Sequence, residues 1–182
     1  MQEFKIKKSS ISNAKKIKQL NLFITGVGNV GRNLLEQICK QKEYLENKLN
    51  LQLNVIGISN SKKMKLNLNG IKLSDWVAEL MKGENANSLE FMSRSKEMNL
   101  RNSIFIDNSD SAEIANNYEY YLKNGIDVVT CNKIACSDTY SNYQNLKNLA
   151  HLHNTSFLFE TNVGAGLPII DTLNNLVAFL WY

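Results

Sequence analysis

The chain has 182 residues, enough for one substantial core, and its 43% hydrophobic and 21% charged residues are ordinary for a soluble globular domain. Its 21 Lys+Arg against 17 Asp+Glu leave a net charge of +4, spread along the chain, which does not argue for a nucleic-acid partner. The three cysteines (Cys39, Cys131 and Cys136) lack zinc-site spacing and read as free thiols. No apolar run is long enough for a membrane span, and the start "MQEFKIKKSS" has no apolar segment behind it, so the expectation is a cytoplasmic protein with no membrane partner.

Residues 1–19 are polar and lysine-rich and read as a linker or leader. "LNLFIT" from Leu20 is a buried strand, and Val30, Leu34, Leu35 and Ile38 recur at helical spacing from Asn29 to about Lys42. "LQLNVIGIS" is a second strand, followed by a polar excursion from Asn60 to Trp76. Ser74 with Asp75 caps a helix through Met81, and a further helix spans Ala86 to Lys96. "SIFID" is the third strand; one long helix follows Ser109/Asp110 and stops at Gly125. Next come the strand "IDVVTC", a helix over "SDTYSNYQNLKNLAHLHN", the strand "TSFLFET", a glycine turn and a helix from Pro168. Strands alternating with helices predict an α/β fold: a Rossmann-like, doubly wound parallel sheet with helices on both faces, over residues 20–167.

Gly26-x-Gly28-x-x-Gly31 follows a strand and opens a helix, the context of a dinucleotide fingerprint. The first glycine permits the turn, the second lets a pyrophosphate approach the backbone, and the third lets the helix pack closely. Without a ligand, the same glycines would make a tight strand–helix turn. The second strand ends in Ser59, Asn60 and Ser61, where an acid would bind a ribose 2′-hydroxyl, with Lys62 and Lys63 just beyond. The missing acid removes repulsion against a 2′-phosphate and favours NADP(H) over NAD(H); the two lysines attract that phosphate or are simply solvated. Asp107, Asn108 and Ser109, and then Asn132 and Lys133, end the third and fourth strands at the carboxyl edge, where ligands bind in such folds. Ser109 also suits a helix cap. "ETNVGAGLP" presents carbonyls and the Glu160 carboxylate to a hard cation, or forms a hinge.

Taken in order, "FITGVGNVG", "VIGISNSKKM", "FIDNS", "VVTCNK" and "FETNVGAGLPIIDTLNNL" resemble the nucleotide-binding half of homoserine dehydrogenase, most closely the form fused behind aspartate kinase. The resemblance covers about Leu20 to Leu176. It implies reversible NAD(P)-dependent interconversion of aspartate 4-semialdehyde and homoserine, an amino-acid substrate on the route to threonine and methionine. It places Gly26, Val27, Gly28, Asn29 and Val30 along the cofactor pyrophosphate; Gly31 completes the fingerprint, and Asn60, Ser61 and Lys62 stand at the ribose end read from the second strand. It sets Asn108 and Ser109 beside the cofactor, and Lys133 close to nicotinamide and substrate as the catalytic residue. Glu160, with backbone groups of Val163, Ala165 and Leu167, matches a monovalent-cation site for Na+ or K+. A homo-oligomer and a fused aspartate kinase domain are the implied partners.

Two departures stand out. Asn108 occupies a position where the family more often has Cys. The family continues past "TLNNL" into a second, substrate-binding domain, whereas residues 168–182 read as the start of a truncated hinge helix ending in "VAFLWY". The expectation is therefore the cofactor-binding portion of the enzyme, incomplete for catalysis alone. The alternative is an inactive remnant that only binds a nucleotide or a partner.

Overall fold

The computed structural model describes residues 17–164, 169–170 and 172–173. Most of the expected leader and most of the hinge helix from Pro168 lie outside those residues.

Strand β1 (Lys18–Thr25) becomes fully buried from Asn21 onward. Helix α1 (Asn29–Lys48) follows, and β2 (Leu51–Ser59) lies parallel to β1. Helix α1 runs beyond the expected Lys42 because "QKEYLENK" contains no breaker; the chain turns only at Asn50, whose φ of 52° is left-handed. Asn99, Asn102 and Asn154 adopt the same conformation in other connections. An Asn-rich chain thus uses one of the few non-glycine residue types that tolerate this backbone.

The expected polar excursion after β2 contains a short strand. Strand β3 (Lys63–Leu66) pairs antiparallel with β2, and β4 (Glu84–Asn85) pairs antiparallel with β3. Met64 and Leu66 face the core and alternate with lysines, a period-two signal too short to read against a lysine-rich background. A 3-10 turn (Leu73–Asp75) precedes α2 (Trp76–Met81), and no side chain caps either element. The expected Ser74/Asp75 cap is not made, because the Asp75 carboxylate pairs with Lys72 at 2.6 Å and Ser74 donates to that same carboxylate. Helix α3 (Ser88–Glu97) is capped by Asn87, which accepts the Glu90 N–H at 3.0 Å.

Strand β5 (Ser103–Asp107) lies parallel to β1 on the side away from β2. The single helix expected before Gly125 is two, α4 (Ala112–Ala115) and α5 (Tyr118–Lys123), broken at Asn116–Asn117. Its cap is Ser111, which accepts the Ile114 N–H, rather than Ser109. Strand β6 (Asp127–Thr130) and the short β7 (Phe157–Leu158) continue the parallel sheet. Between them lie α6 (Ile134–Ser137) and α7 (Tyr140–Leu152), the latter capped by Thr139. The turn α8 (Thr161–Gly164) follows β7 where a glycine turn was expected.

The sheet order is β4-β3-β2-β1-β5-β6-β7, parallel except for β3 and β4. Two cores confirm helices on both faces. Leu22, Ile24, Val55 and Ile58 pack with Leu35 and Ile38 of α1 and with Trp76 and Leu80 of α2. Phe23, Ile56, Phe105 and Val128 pack with Phe91 of α3, Tyr118 and Tyr121 of α5, and Leu146 of α7. Val55 and Ile58 share a face despite their odd spacing because the β1–β2 register slips between Leu22 and Phe23, as at a β-bulge. Phe105 stacks on Tyr121 with ring centroids 3.9 Å apart, at the centre of the second core. Phe105→Ala should lower unfolding free energy by about 3–5 kcal/mol in denaturant titration, because the rings around the cavity can close in only partly.

Candidate functional site

The loops that leave β1 and β5 part in opposite directions, since α1 carries the chain from β1 to β2 on one flank while β5 and β6 extend the other. This is the topological switch point, where open α/β sheets bind ligands. Gly26 makes the turn with φ +74°, and a Cβ there would stand 2.6 Å from the Asn108 carbonyl carbon and the Ser109 nitrogen. A Cβ on Gly31 would stand 2.6 Å from the Gly26 carbonyl oxygen. At Gly28 a Cβ would meet nothing within 4 Å, so this glycine opens onto free space.

Gly28 is also the N-cap of α1, and no side chain caps that helix. The first helical bond is donated by Arg32 N–H to the Gly28 carbonyl, so the N–H groups of Asn29, Val30 and Gly31 have no helical acceptor. They point with the positive end of a 20-residue helix dipole, which suits an anion. Val27 contributes differently. Its side chain is buried in the α1-side core and its N–H donates to the Ser59 carbonyl at 3.1 Å. A buried hydroxyl pair, Thr25 with Ser59 at 2.8 Å, fastens the same two strand ends.

A cleft of about 570 Å³ opens beside this turn, a size suited to a small-molecule ligand. Gly26, Asn60, Ser61 and Ser109 line it, as do Asn87, Ser88, Glu113 and Asn117. These last four were not anticipated from sequence. The antiparallel β3–β4 pair brings Asn87 and Ser88 to the cleft, with the Ala86 N–H donating to the Lys62 carbonyl at 3.0 Å. Ser88 hydrogen-bonds Glu113 across from α3 to α4. The Asn60 Oδ1 accepts the N–H groups of Lys62 and Lys63 at 2.8 and 2.7 Å, shaping the loop at the cleft edge. Lys63 reaches away, to the Gly83 carbonyl and Asn85 Oδ1, whereas Lys62 is exposed and makes no ion pair among the described residues. The residues present therefore fit a dinucleotide: open space at Gly28, an uncapped helix start and a cleft continuing to the end of β2. The buried Asn108 Nδ2, unpartnered among the described residues and beside Gly31, adds an orphan donor at the same turn.

On the β6 side, Asp107 is wholly buried and its carboxylate collects four donors. Oδ1 accepts the Ser109 N–H at 2.7 Å and the Ser109 hydroxyl at 2.6 Å. Oδ2 accepts the Tyr118 hydroxyl at 2.6 Å and Asn132 Nδ2 at 3.1 Å. Burial, reinforced by Asp107, pushes the Tyr118 hydroxyl well above the usual phenol range, in keeping with its donation to Asp107 Oδ2. Lys133 stands exposed at the start of α6, directly after buried Asn132. It does not line the cleft. Burial likewise raises the Cys131 and Cys136 thiols, which keeps them protonated near neutrality. The Glu160 carboxylate accepts the Ile170 N–H at 2.7 Å. Val163 belongs to α8, while Ala165 and Leu167 of the expected cation site lie outside the described residues. Among the described residues there is no cluster of three or more His, Cys, Asp or Glu side chains placed to hold a metal ion, and no helix is long and apolar enough to cross a membrane.

Gly26→Ala and Gly28→Ala should separate packing from binding. The first forces a side chain into backbone at positive φ and should cost about 1–3 kcal/mol of stability by denaturant titration. The second should change stability by less than about 1 kcal/mol while weakening dinucleotide binding at least about tenfold by calorimetry, because its methyl would occupy the approach to the uncapped helix.

Comparison with known proteins bears on the identity of this site. Residues 26–160 match the sequence model of the homoserine dehydrogenase NAD-binding domain. Over 170 residues the chain is 39% identical to the bifunctional aspartokinase/homoserine dehydrogenase of Haemophilus influenzae, covering 93% of this chain and 20% of that protein. It is 32% identical over 161 residues to homoserine dehydrogenase of Schizosaccharomyces pombe, covering 87% of this chain and 43% of that one. A solved hyperthermophilic archaeal homoserine dehydrogenase in complex with NADPH superposes with a TM-score of 0.70 at 28% identity, covering 86% of this chain and 48% of the other. The chain thus spans about a fifth of the length of the bifunctional relatives it matches.

Proposed function

Because the chain belongs to the homoserine dehydrogenase NAD-binding domain family, we propose that it is the cofactor-binding portion of a homoserine dehydrogenase that interconverts homoserine and aspartate 4-semialdehyde with NADP(H) in preference to NAD(H). The observation that carries the reading is the turn Gly26–Gly31, where a glycine open to free space meets an uncapped helix start. The N–H groups of Gly28, Asn29, Val30 and Gly31 would hold the pyrophosphate. Asn60 and Ser61 would flank the ribose; the end of β2 carries no acid to repel a 2′-phosphate, the acids of the cleft (Asp110 and Glu113) coming from the segment after β5, and exposed Lys62, which makes no ion pair among the described residues, follows Ser61 directly. Asn108 and Ser109 would close the other side. The bound nicotinamide supplies or accepts the hydride.

The chain's own part in the chemistry falls to Lys133. Exposed at the carboxyl edge, its ammonium would donate a hydrogen bond to the substrate oxygen, holding the reacting carbon in place and assisting proton movement at that oxygen. Glu160, with the backbone of Val163, Ala165 and Leu167, would take Na+ or K+. The remaining substrate contacts would come from a second domain, which homologues of greater length have room for. An aspartate kinase domain in the same polypeptide, a homo-oligomeric assembly, a place in threonine and methionine synthesis and a cytoplasmic setting complete the proposal.

Titrating the chain with NADPH and NADH is the direct test. NADPH should bind at least about tenfold more tightly, and Lys62→Ala should remove most of that preference, since one charge-assisted phosphate contact accounts for roughly 1.5–3 kcal/mol. Absence of binding by either cofactor would sink the reading. When a homoserine dehydrogenase substrate domain is added in trans, homoserine-dependent NADPH formation should appear, and Lys133→Ala should lower it by about 10²-fold or more. Cofactor binding with no turnover in that mixture would instead indicate a remnant that binds nucleotide alone.

A further inference from the structure

The carboxyl ends of β5 and β6 are joined by a closed ring of hydrogen bonds. The Asn132 N–H donates to Thr130 Oγ1 at 2.9 Å, and Thr130 Oγ1 lies 2.7 Å from the Tyr118 hydroxyl. The Tyr118 hydroxyl meets Asp107 Oδ2 at 2.6 Å, and Asn132 Nδ2 returns to the same Oδ2 at 3.1 Å. Proton bookkeeping orders the ring. A carboxylate only accepts, so the single Tyr118 proton goes to Asp107, and Thr130 donates to the Tyr118 oxygen. Thr130 also lies 3.3 Å from the Asp107 carbonyl, the longer of its two acceptors.

All four members are nearly inaccessible: Asp107 and Tyr118 are 0% exposed, Thr130 and Asn132 2%. A buried carboxylate persists only where donors surround it, and this one is satisfied on both oxygens. Its two oxygens face different structures. Oδ1 holds Ser109, at the cleft; Oδ2 holds the ring. Asn132 is held at every polar position: its Nδ2 also donates to the Ser111 carbonyl at 3.0 Å, and its Oδ1 accepts the Ile134 N–H at 3.1 Å. Lys133 lies between Asn132 and Ile134, so the ring sets the direction in which its backbone leaves the sheet.

We propose that Asp107, Tyr118 and Thr130 are positioning residues, whose hydrogen-bonded ring through Asn132 holds the Lys133 segment in the register needed to meet the nicotinamide half of the cofactor. The assignment rests on the dinucleotide reading. It adds that the seat of the nicotinamide half is organised from beneath by a buried acid and a phenol that never touch the ligand. Because Oδ1 and Oδ2 serve separate loops, breaking the Oδ2 side leaves the Ser109 side in place.

Tyr118→Phe keeps the aromatic side chain packed against Phe105 and Phe157, and Thr130→Val keeps the strand; each deletes one hydroxyl and with it the two ring links that hydroxyl makes. Affinities for NADPH and for 2′,5′-ADP, which lacks the nicotinamide half, would be measured on the chain by calorimetry, with melting followed in parallel. Each variant should weaken NADPH about fivefold, because only part of the loss of two buried links is felt at the Lys133 segment, and leave 2′,5′-ADP within about twofold. The fluorescence gain of nicotinamide on binding should fall with it. If both ligands weaken equally, or neither weakens, in the variant that melts closer to the unmodified chain, the ring is only structural and the assignment is overturned. An unmodified chain that binds neither ligand would overturn the dinucleotide reading and this assignment with it; binding of both ligands by the unmodified chain, without the split in the variants, would overturn this assignment alone.

Discussion

The structure depends on how closely the start of α1 approaches the carboxyl ends of β1 and β5. At Gly26 the backbone of Asn108 and Ser109 occupies the place of a side chain, and at Gly31 the Gly26 carbonyl does the same. Those two contacts seat the helix over the sheet, so that Leu35 and Ile38 reach Leu22, Ile24, Val55 and Ile58. The same approach brings the uncapped helix start to the switch point of the sheet. Packing and anion affinity are thus two results of one steric constraint. Gly28 stands apart from its neighbours because the space beside it is vacant rather than filled by protein.

Around this turn the polar groups divide into those that build the site and those left to serve it. Thr25 with Ser59 ties β1 to β2, Val27 closes on the Ser59 carbonyl, and Asn60 folds the loop before β3. Asp107 ties the β5 loop to β6 and to α5. None of these needs a ligand. The groups without such commitments among the described residues are the first N–H groups of α1, together with Lys62 and Lys133, which are exposed and follow the carboxyl ends of β2 and β6. That separation is what a preorganised site requires, because rigid neighbours lower the ordering cost of binding.

The antiparallel β3–β4 edge shapes one wall of the cleft. Through β4 it returns the chain to the sheet beside Lys62, and it places Asn87 and Ser88 at the start of α3 within the cleft wall. Asn87 is committed to capping α3, while Ser88 spans to Glu113 on α4. The carboxylate of Glu113 therefore enters the cleft hydrogen-bonded, from an element with no sequence proximity to the fingerprint.

Much of this was legible in the chain itself. The apolar run to Thr25, the glycines at 26, 28 and 31, and the alternation of strands and helices determined a parallel sheet with a ligand turn, because each rests on local backbone sterics or periodicity. The acid-free end of β2 and the edge position of Asn132 and Lys133 were equally readable, since strand ends fix where such residues emerge. What only the tertiary structure decided was pairing across distance. Met64 and Leu66 form a strand because β2 offers them an edge. The helix after β5 breaks at Asn116–Asn117, and Tyr118 of α5 reaches the Asp107 carboxylate. Asp107, Tyr118, Thr130 and Asn132 are ordinary residues in sequence, spread over 25 positions between Asp107 and Asn132. They become one buried network because an ion withdrawn from water must gather its donors from whatever elements the fold brings within hydrogen-bonding distance.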